Sequence, residues 1–172
     1  MTPSNIERLP FDKDAVAIWG DTDHRHNDWP VVYVLDGDRK SPAVYVGETA
    51  NAATRLKQHL GNPAKQHLRT ARVLIDETYN KSVCLDLESH LIRWLAGDGQ
   101  FTVLNGNKGI TNAAYYRRES YRKTFGDIFE QLRGEGVFQR SIPAIENSDL
   151  FKLSPFKALT QDQAIAVEDI LD

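Results

Sequence analysis

Five side chains in this sequence have the types and spacing to act on a phosphodiester: Tyr33 and Tyr45, Arg55 and His59, and Glu88. A phenol can pass a proton, a guanidinium can clamp phosphate oxygens and offset developing charge, and a carboxylate can hold Mg²⁺. Arg55 and His59 stand four positions apart, so on a helix they share one face. On a helical wheel, Glu88 falls among Cys84, Leu85, Leu91, Ile92 and Leu95, with Asp86, His90 and Arg93 on the far side. A carboxylate facing a core is costly, so Glu88 needs a cation, a hydrogen-bond partner or a route to solvent. A metal or an arginine would meet that need; so would a helix turned edge-on.

The elements that must position these residues are legible as patterns. Val31–Leu35 and Ala43–Gly47 are β-branched and aromatic runs joined by the turn-forming stretch 36–42, which predicts a hairpin. Alternation puts Val32, Val34, Val44 and Val46 on a core face and Tyr33 and Tyr45 on the outward one. Asn51–Leu60 reads as a helix capped by Asn51 or Thr49 and closed by Gly61. Arg72–Ile75 reads as a third strand. Val83–Leu95 is the strongest helix, with Ser82 as its cap and Gly97–Gly99 ending it. A short strand at Phe101–Leu104 and a helix from about Asn112 to Arg133 follow.

At 172 residues, with 41% hydrophobic and 26% charged residues, the chain fits one ordinary domain with an appendage. No run is apolar enough for a membrane span, and Met1–Pro10 lacks a signal-like pattern, so the expected setting is cytoplasmic with no membrane partner. The single Cys84 excludes an internal disulfide and a thiolate zinc cluster. The formal charge of −3 is unevenly spread: residues 31–140 hold 16 bases against 12 acids. From Thr49 to Ile75 there is no acid, while Arg55, Lys57, Lys65, Arg69 and Arg72 supply cations for a phosphate backbone or a solvated basic face.

Taken in order, Val31-Val32-Tyr33, Tyr45-Val46-Gly47, Arg55 with His59, the helix bearing Glu88 and then Asn105 resemble the GIY-YIG nuclease family over about residues 31–107. The resemblance implies an α/β domain of the α+β type, with a three-stranded antiparallel sheet flanked by helices, cutting DNA with Mg²⁺ (or Mn²⁺). It implies that one of Tyr33 and Tyr45 handles the proton of the attacking water while the other positions it. Arg55 would bind the scissile phosphate, and His59 would bind phosphate or help in proton transfer. Glu88 would be the single protein carboxylate on the metal, and Asn105 would orient the site, with Asn107 as a substitute.

The sequence departs from the pattern at Val31, Val32 and Val46. It also places Glu48 directly after Gly47, where it would repel substrate, approach the metal or, the favoured reading, point to solvent. Lys57, Lys65 and Arg69 are expected as further nucleic-acid contacts. Arg117, Arg118, Arg122 and Lys123, interleaved with Tyr115, Tyr116 and Tyr121, either add phosphate and stacking contacts or belong to a helix whose tyrosines pack inward. His24 and His26 with Asp21, Asp23 and Asp28 form a metal loop or, the favoured reading, a solvated loop.

After Arg140 the chain turns acidic, which sets expected boundaries of 1–140 for the nuclease-like domain and 141–172 for a linker and the possible start of a second domain. Phe151–Phe156 reads as an extended tether and Thr160–Leu171 as a helix capped by Thr160. Leu159–Gln163 resembles the lead-in to a helicase-type P-loop ATPase domain. The leading expectation is a Mg²⁺-dependent DNA endonuclease; the rivals are a catalytically inactive DNA-binding module of a larger ATPase or helicase protein, and a protein-interaction domain.

Overall fold

The two β-branched runs do form a hairpin, and it lies near the centre of a larger sheet than the pattern suggests. The computed structural model describes residues 5–106 and 113–153. The elements are β1 (Asn5–Pro10), α1 (Lys13–Gly20), β2 (Val31–Gly37), β3 (Ala43–Thr49), α2 (Ala52–Leu60), β4 (Leu68–Ile75), α3 (Lys81–Asp98), β5 (Thr102–Val103), α4 (Arg118–Gly134), α5 (Ile142–Glu146) and α6 (Asp149–Lys152). The strand order is β1-β4-β2-β3-β5. β1, β4, β2 and β3 pair antiparallel and β5 runs parallel to β3, so the sheet is five-stranded and mixed. This corrects the three-stranded antiparallel expectation, whose strands are the middle of the sheet. The added edges carry weak sequence signals because β1 has one buried residue, Leu9, and β5 is two residues long.

Both faces of the sheet are covered. Val32, Val34, Val44 and Val46 pack with Val83, Leu87 and Leu91 of α3, and Phe125 and Phe129 of α4 belong to the same cluster. On the other face, Val31, Tyr33, Leu35 and Val73 pack with Val16 of α1 and Ala52 and Leu56 of α2. The tyrosine face is therefore not outward. Tyr33 is only 1% exposed, because α1 and α2 roof that face.

α2 begins at Asn51, whose side chain accepts from the Thr54 N–H at 3.0 Å. α3 begins two residues earlier than expected, with Asn80 rather than Ser82 as its cap, and ends at Gly99 in the left-handed region (φ 74°). Its far side is not solvated: Asp86 is 5% exposed beneath α4. The His24–His26 turn is solvated only in part: Asp21, His24 and Asp28 are exposed, but His26 is buried. His26 stacks on Trp19 at 3.7 Å, and its two ring nitrogens face the Trp19 carbonyl and the Glu7 carboxylate, each at 2.7 Å.

Apolar packing continues past residue 140, since Ile145 and Phe151 join the α3 cluster. Phe151 lies in α6 rather than in an extended tether. Asn107, the motif Leu159–Gln163 and the helix expected over Thr160–Leu171 lie outside the described residues. No helix among the described residues is long and apolar enough to cross a membrane.

Candidate active site

β2 and β3 set the first two groups. Their register pairs Tyr33 with Gly47 and Leu35 with Tyr45, so the two phenols project diagonally on one face, ring centroids 6.3 Å apart. α2 lays His59 over both rings, 5.5 Å from Tyr33 and 5.0 Å from Tyr45. The Tyr33 hydroxyl is 2.7 Å from His59 Nε2. Lys65, in the 3-10 turn after α2, closes the group: its Nζ is 2.8 Å from His59 Nδ1 and 3.6 Å from the centre of the Tyr45 ring.

Charge follows this geometry. Burial, then the charges of Lys65 and Arg55, pull the His59 imidazole down to about 4, so it is neutral at physiological pH. Burial, then Arg55, pulls the Lys65 ammonium down to about 8. Burial and then Tyr45 hold the Tyr33 hydroxyl well above the phenol range, with Arg55 opposing and Glu88 adding to the rise. Arg55 lies exposed on α2, and hydrogen bonding to Tyr33 pushes its guanidinium further up, with Tyr45 acting in the same sense. A solvent-facing guanidinium held against two phenols is well placed to receive a phosphate.

Glu88 approaches from the opposite face of the sheet. Burial, then the Glu48 charge, push its carboxyl up to about 7, while Lys81 and the Glu48 backbone N–H oppose that shift. Glu48 thus corrects the solvent-facing expectation. Its side chain is 14% exposed and bonded to Lys81 Nζ at 2.5 Å, and its other oxygen is buried with no partner. The alternation that turns Tyr45 and Gly47 towards α2 turns Glu48 towards α3. Glu88 still acts on Tyr33, so its field reaches the tyrosine face at the Gly47 end of β3.

Asn105 reads the backbone at the same edge. Its Oδ1 accepts from the Val46 N–H at 3.0 Å and its Nδ2 donates to the Val46 carbonyl at 2.7 Å. β5 has ended by then, so one side-chain amide replaces the next rung of the ladder and holds β3 between Tyr45 and Gly47.

The remaining expected contacts divide. Lys57 and Arg69 are exposed, with Arg69 Nη1 on the Gln66 and Leu68 carbonyls. Arg72 leaves the basic run altogether: it is 4% exposed and ion-paired to Asp36 and Glu135. Arg117 is exposed against the Tyr116 ring, and Arg118 pairs with Glu119. Arg122 forks onto Asp86 at 3.0 and 3.1 Å, beside the Tyr115 hydroxyl at 2.6 Å. Burial would raise Asp86, but His90, Arg122 and Tyr115 outweigh it and hold the carboxyl well below its usual range. Asp86 lies about 200° around α3 from Glu88. The structure therefore does not bring Arg122 to the tyrosine site.

Sequence reasoning counts Lys65 among the phosphate contacts of a basic run and not beside His59 and Tyr45, and it turns Glu48 to solvent rather than towards α3. The period-two alternation of β3 was the signal available for Glu48. Cys84 is buried, and burial first, then Glu48, raise its thiol, which leaves it a packing residue.

Residues 30–99 match the family model of the GIY-YIG catalytic domain, a nuclease family. The matched span runs from the start of β2 to the end of α3 and contains Tyr33, Tyr45, Arg55, His59 and Glu88; Asn105 lies beyond it. Neither the curated proteins nor the solved structures contain a match to this chain.

Proposed function

We propose that this chain is a divalent-metal-dependent endonuclease module that hydrolyses DNA phosphodiester bonds. The observation that carries the reading is the convergence at one end of the β2–β3 hairpin of two phenols, a neutral imidazole, an exposed guanidinium and a carboxylate whose field reaches Tyr33.

The metal fits the residues present. Glu88 and the unpartnered buried oxygen of Glu48 are two acceptors with only Lys81 set against them. No group of three or more His, Cys, Asp or Glu able to hold a metal occurs among the described residues. That suits Mg²⁺ or Mn²⁺, ions commonly held by one or two carboxylates together with water and phosphate oxygens. Glu88 and Glu48 would hold the ion. When bound, it would neutralise charge on the phosphate and its leaving oxygen.

The chain's own groups do the rest. Arg55 binds the scissile phosphate and stabilises its developing charge. Tyr33, whose oxygen is joined to His59, handles the proton of the attacking water, and Tyr45 positions that water. Water adds to phosphorus in line with the leaving oxygen, the bond to that oxygen breaks, and no covalent enzyme intermediate forms. Asn105 keeps β3 in place. Lys57, Arg69, Arg117 and Arg118 are offered to flanking phosphates, whereas Arg122 is given to Asp86. A following ATPase-like partner domain and a cytoplasmic setting belong to the same reading.

The test is incubation of the purified chain with supercoiled plasmid and Mg²⁺, beside EDTA and Glu88→Gln controls. Relaxed or linear product from the wild type alone supports the reading. Salt-sensitive plasmid binding without product turns it to a DNA-binding module, and absence of salt-dependent binding turns it to a protein-interaction domain.

A further inference from the structure

Lys57 and Arg69 present their charges to solvent, but Lys65 is half-buried and points its Nζ into the tyrosine site. It meets His59 Nδ1 at 2.8 Å, and His59 Nε2 meets the Tyr33 hydroxyl at 2.7 Å, so three titratable groups from the 3-10 turn, α2 and β2 are joined end to end. An ammonium has three donors and no lone pair. While Lys65 is charged, Nδ1 must therefore accept, and the single imidazole proton sits on Nε2, donated to the Tyr33 oxygen.

We propose that Lys65 is a positioning residue of this site: by its bond to Nδ1 it sets which nitrogen of His59 carries the proton, and through His59 it takes up the proton that Tyr33 must lose before it can accept one from water. The consequence for cleavage rests on the hydrolytic reading above; the hydrogen-bond chain does not.

The transfer balances without any further reactant. With Lys65 as the amine, His59 Nδ1–H donates to Nζ and the Tyr33 O–H donates to Nε2. Movement along both bonds breaks the Tyr33 O–H and the Nδ1–H bonds and forms an Nε2–H and an ammonium N–H. Net charge is unchanged, and a phenolate is left that accepts N–H bonds from His59 and Arg55. The phenolate accepts the proton of the attacking water, and Lys65 then releases one proton to solvent. The charged and titratable groups around the chain are Arg55 and His59 of α2, Tyr45 of β3, Tyr33 of β2 and, acting on Tyr33 from α3, Glu88. Burial, then the Arg55 charge, lowers the Lys65 ammonium to about 8, so the amine becomes the main form above that pH.

The experiment is ¹⁵N NMR of the His59 ring in the intact chain, with neither DNA nor metal, in the wild type, Lys65→Met and Lys65→Arg. The wild type should show the Nε2–H tautomer below about pH 8 and move towards Nδ1–H above it. Lys65→Met should lose that transition, and Lys65→Arg, which donates to Nδ1 but does not titrate here, should hold Nε2–H throughout. Plasmid nicking by the wild type should rise through the same pH range, and both variants should lose the rise and about 100-fold in kcat. Lys65→Arg should keep wild-type plasmid affinity, and its amide spectrum checks that a variant at this position folds. An identical tautomer course in wild type and Lys65→Met overturns the proposal. So does full rescue of kcat and pH profile by Lys65→Arg, the result expected of a plain phosphate contact. A tautomer transition in a wild type that does not nick overturns the hydrolytic reading and leaves the Lys65–His59 coupling standing.

Discussion

Tyr33 and Gly47 are cross-strand partners, and the tyrosine lies across the glycine so closely that a Cβ at position 47 would overlap the Tyr33 hydroxyl and ring edge. The ring is fully buried and has nowhere to retreat. The missing side chain at Gly47 is thus what lets the phenol reach His59. Gly47→Ala should cost about 1–3 kcal/mol in urea unfolding and remove nicking. Unchanged stability would show that Tyr33 has an alternative rotamer.

The raised Glu88 carboxyl makes a pH-dependent contribution with a definite sign. Its ordinary value is 4.5 and its folded value about 7, so between those limits the native state binds the extra proton and stability falls as pH rises. Because Glu88 is partly open to solvent, Glu88→Gln should gain only about 1 kcal/mol over the wild type above pH 7. Millimolar Mg²⁺ should raise the wild-type Tm and leave the variant nearly unmoved. A Tm response to Mg²⁺ equal in both proteins would remove Glu88 from the metal site.

Arg55 is exposed and contributes little packing, so its loss should be felt in chemistry and not in folding. Arg55→Ala should lower kcat by about 100-fold or more while circular dichroism and Tm stay at wild-type values. Retained cleavage would take the phosphate clamp away from this residue.

Two arginines of one segment should behave oppositely. Arg122→Ala leaves the buried Asp86 without its bidentate partner and should cost about 3–5 kcal/mol of stability. Arg117, exposed at the start of α4, should show no such loss. Arg117→Ala should instead reduce the salt slope of plasmid binding by about 1. Equal stabilities for the two variants would show that Asp86 finds another partner.

Much of the site was legible because its residues lie on elements with clean local signals. The hairpin register follows from alternation over Val31–Leu35 and Ala43–Gly47, and the Arg55–His59 pair follows from helical spacing after the Asn51 cap. The wheel of α3 placed Glu88 against apolar neighbours but could not show that the opposite side was buried too. That depended on Tyr115, just before α4, and Arg122 of α4, which reach Asp86 from 29 and 36 positions away. His26 was likewise read as solvated because its partners are Trp19, stacked on it, and Glu7, 19 positions earlier on β1.

The sequence by itself determined which residue types stand in which order on a hairpin and two helices, because strand alternation and helix periodicity are local properties of the chain. Only the tertiary structure decided what each group faces. α2 packed on the hairpin turns Lys65 from a surface cation into the partner of His59, and α3 packed on the other face brings Glu88 to Glu48. Burial then sets their protonation, because the cost of a charge depends on the partners and solvent that remain around it after packing.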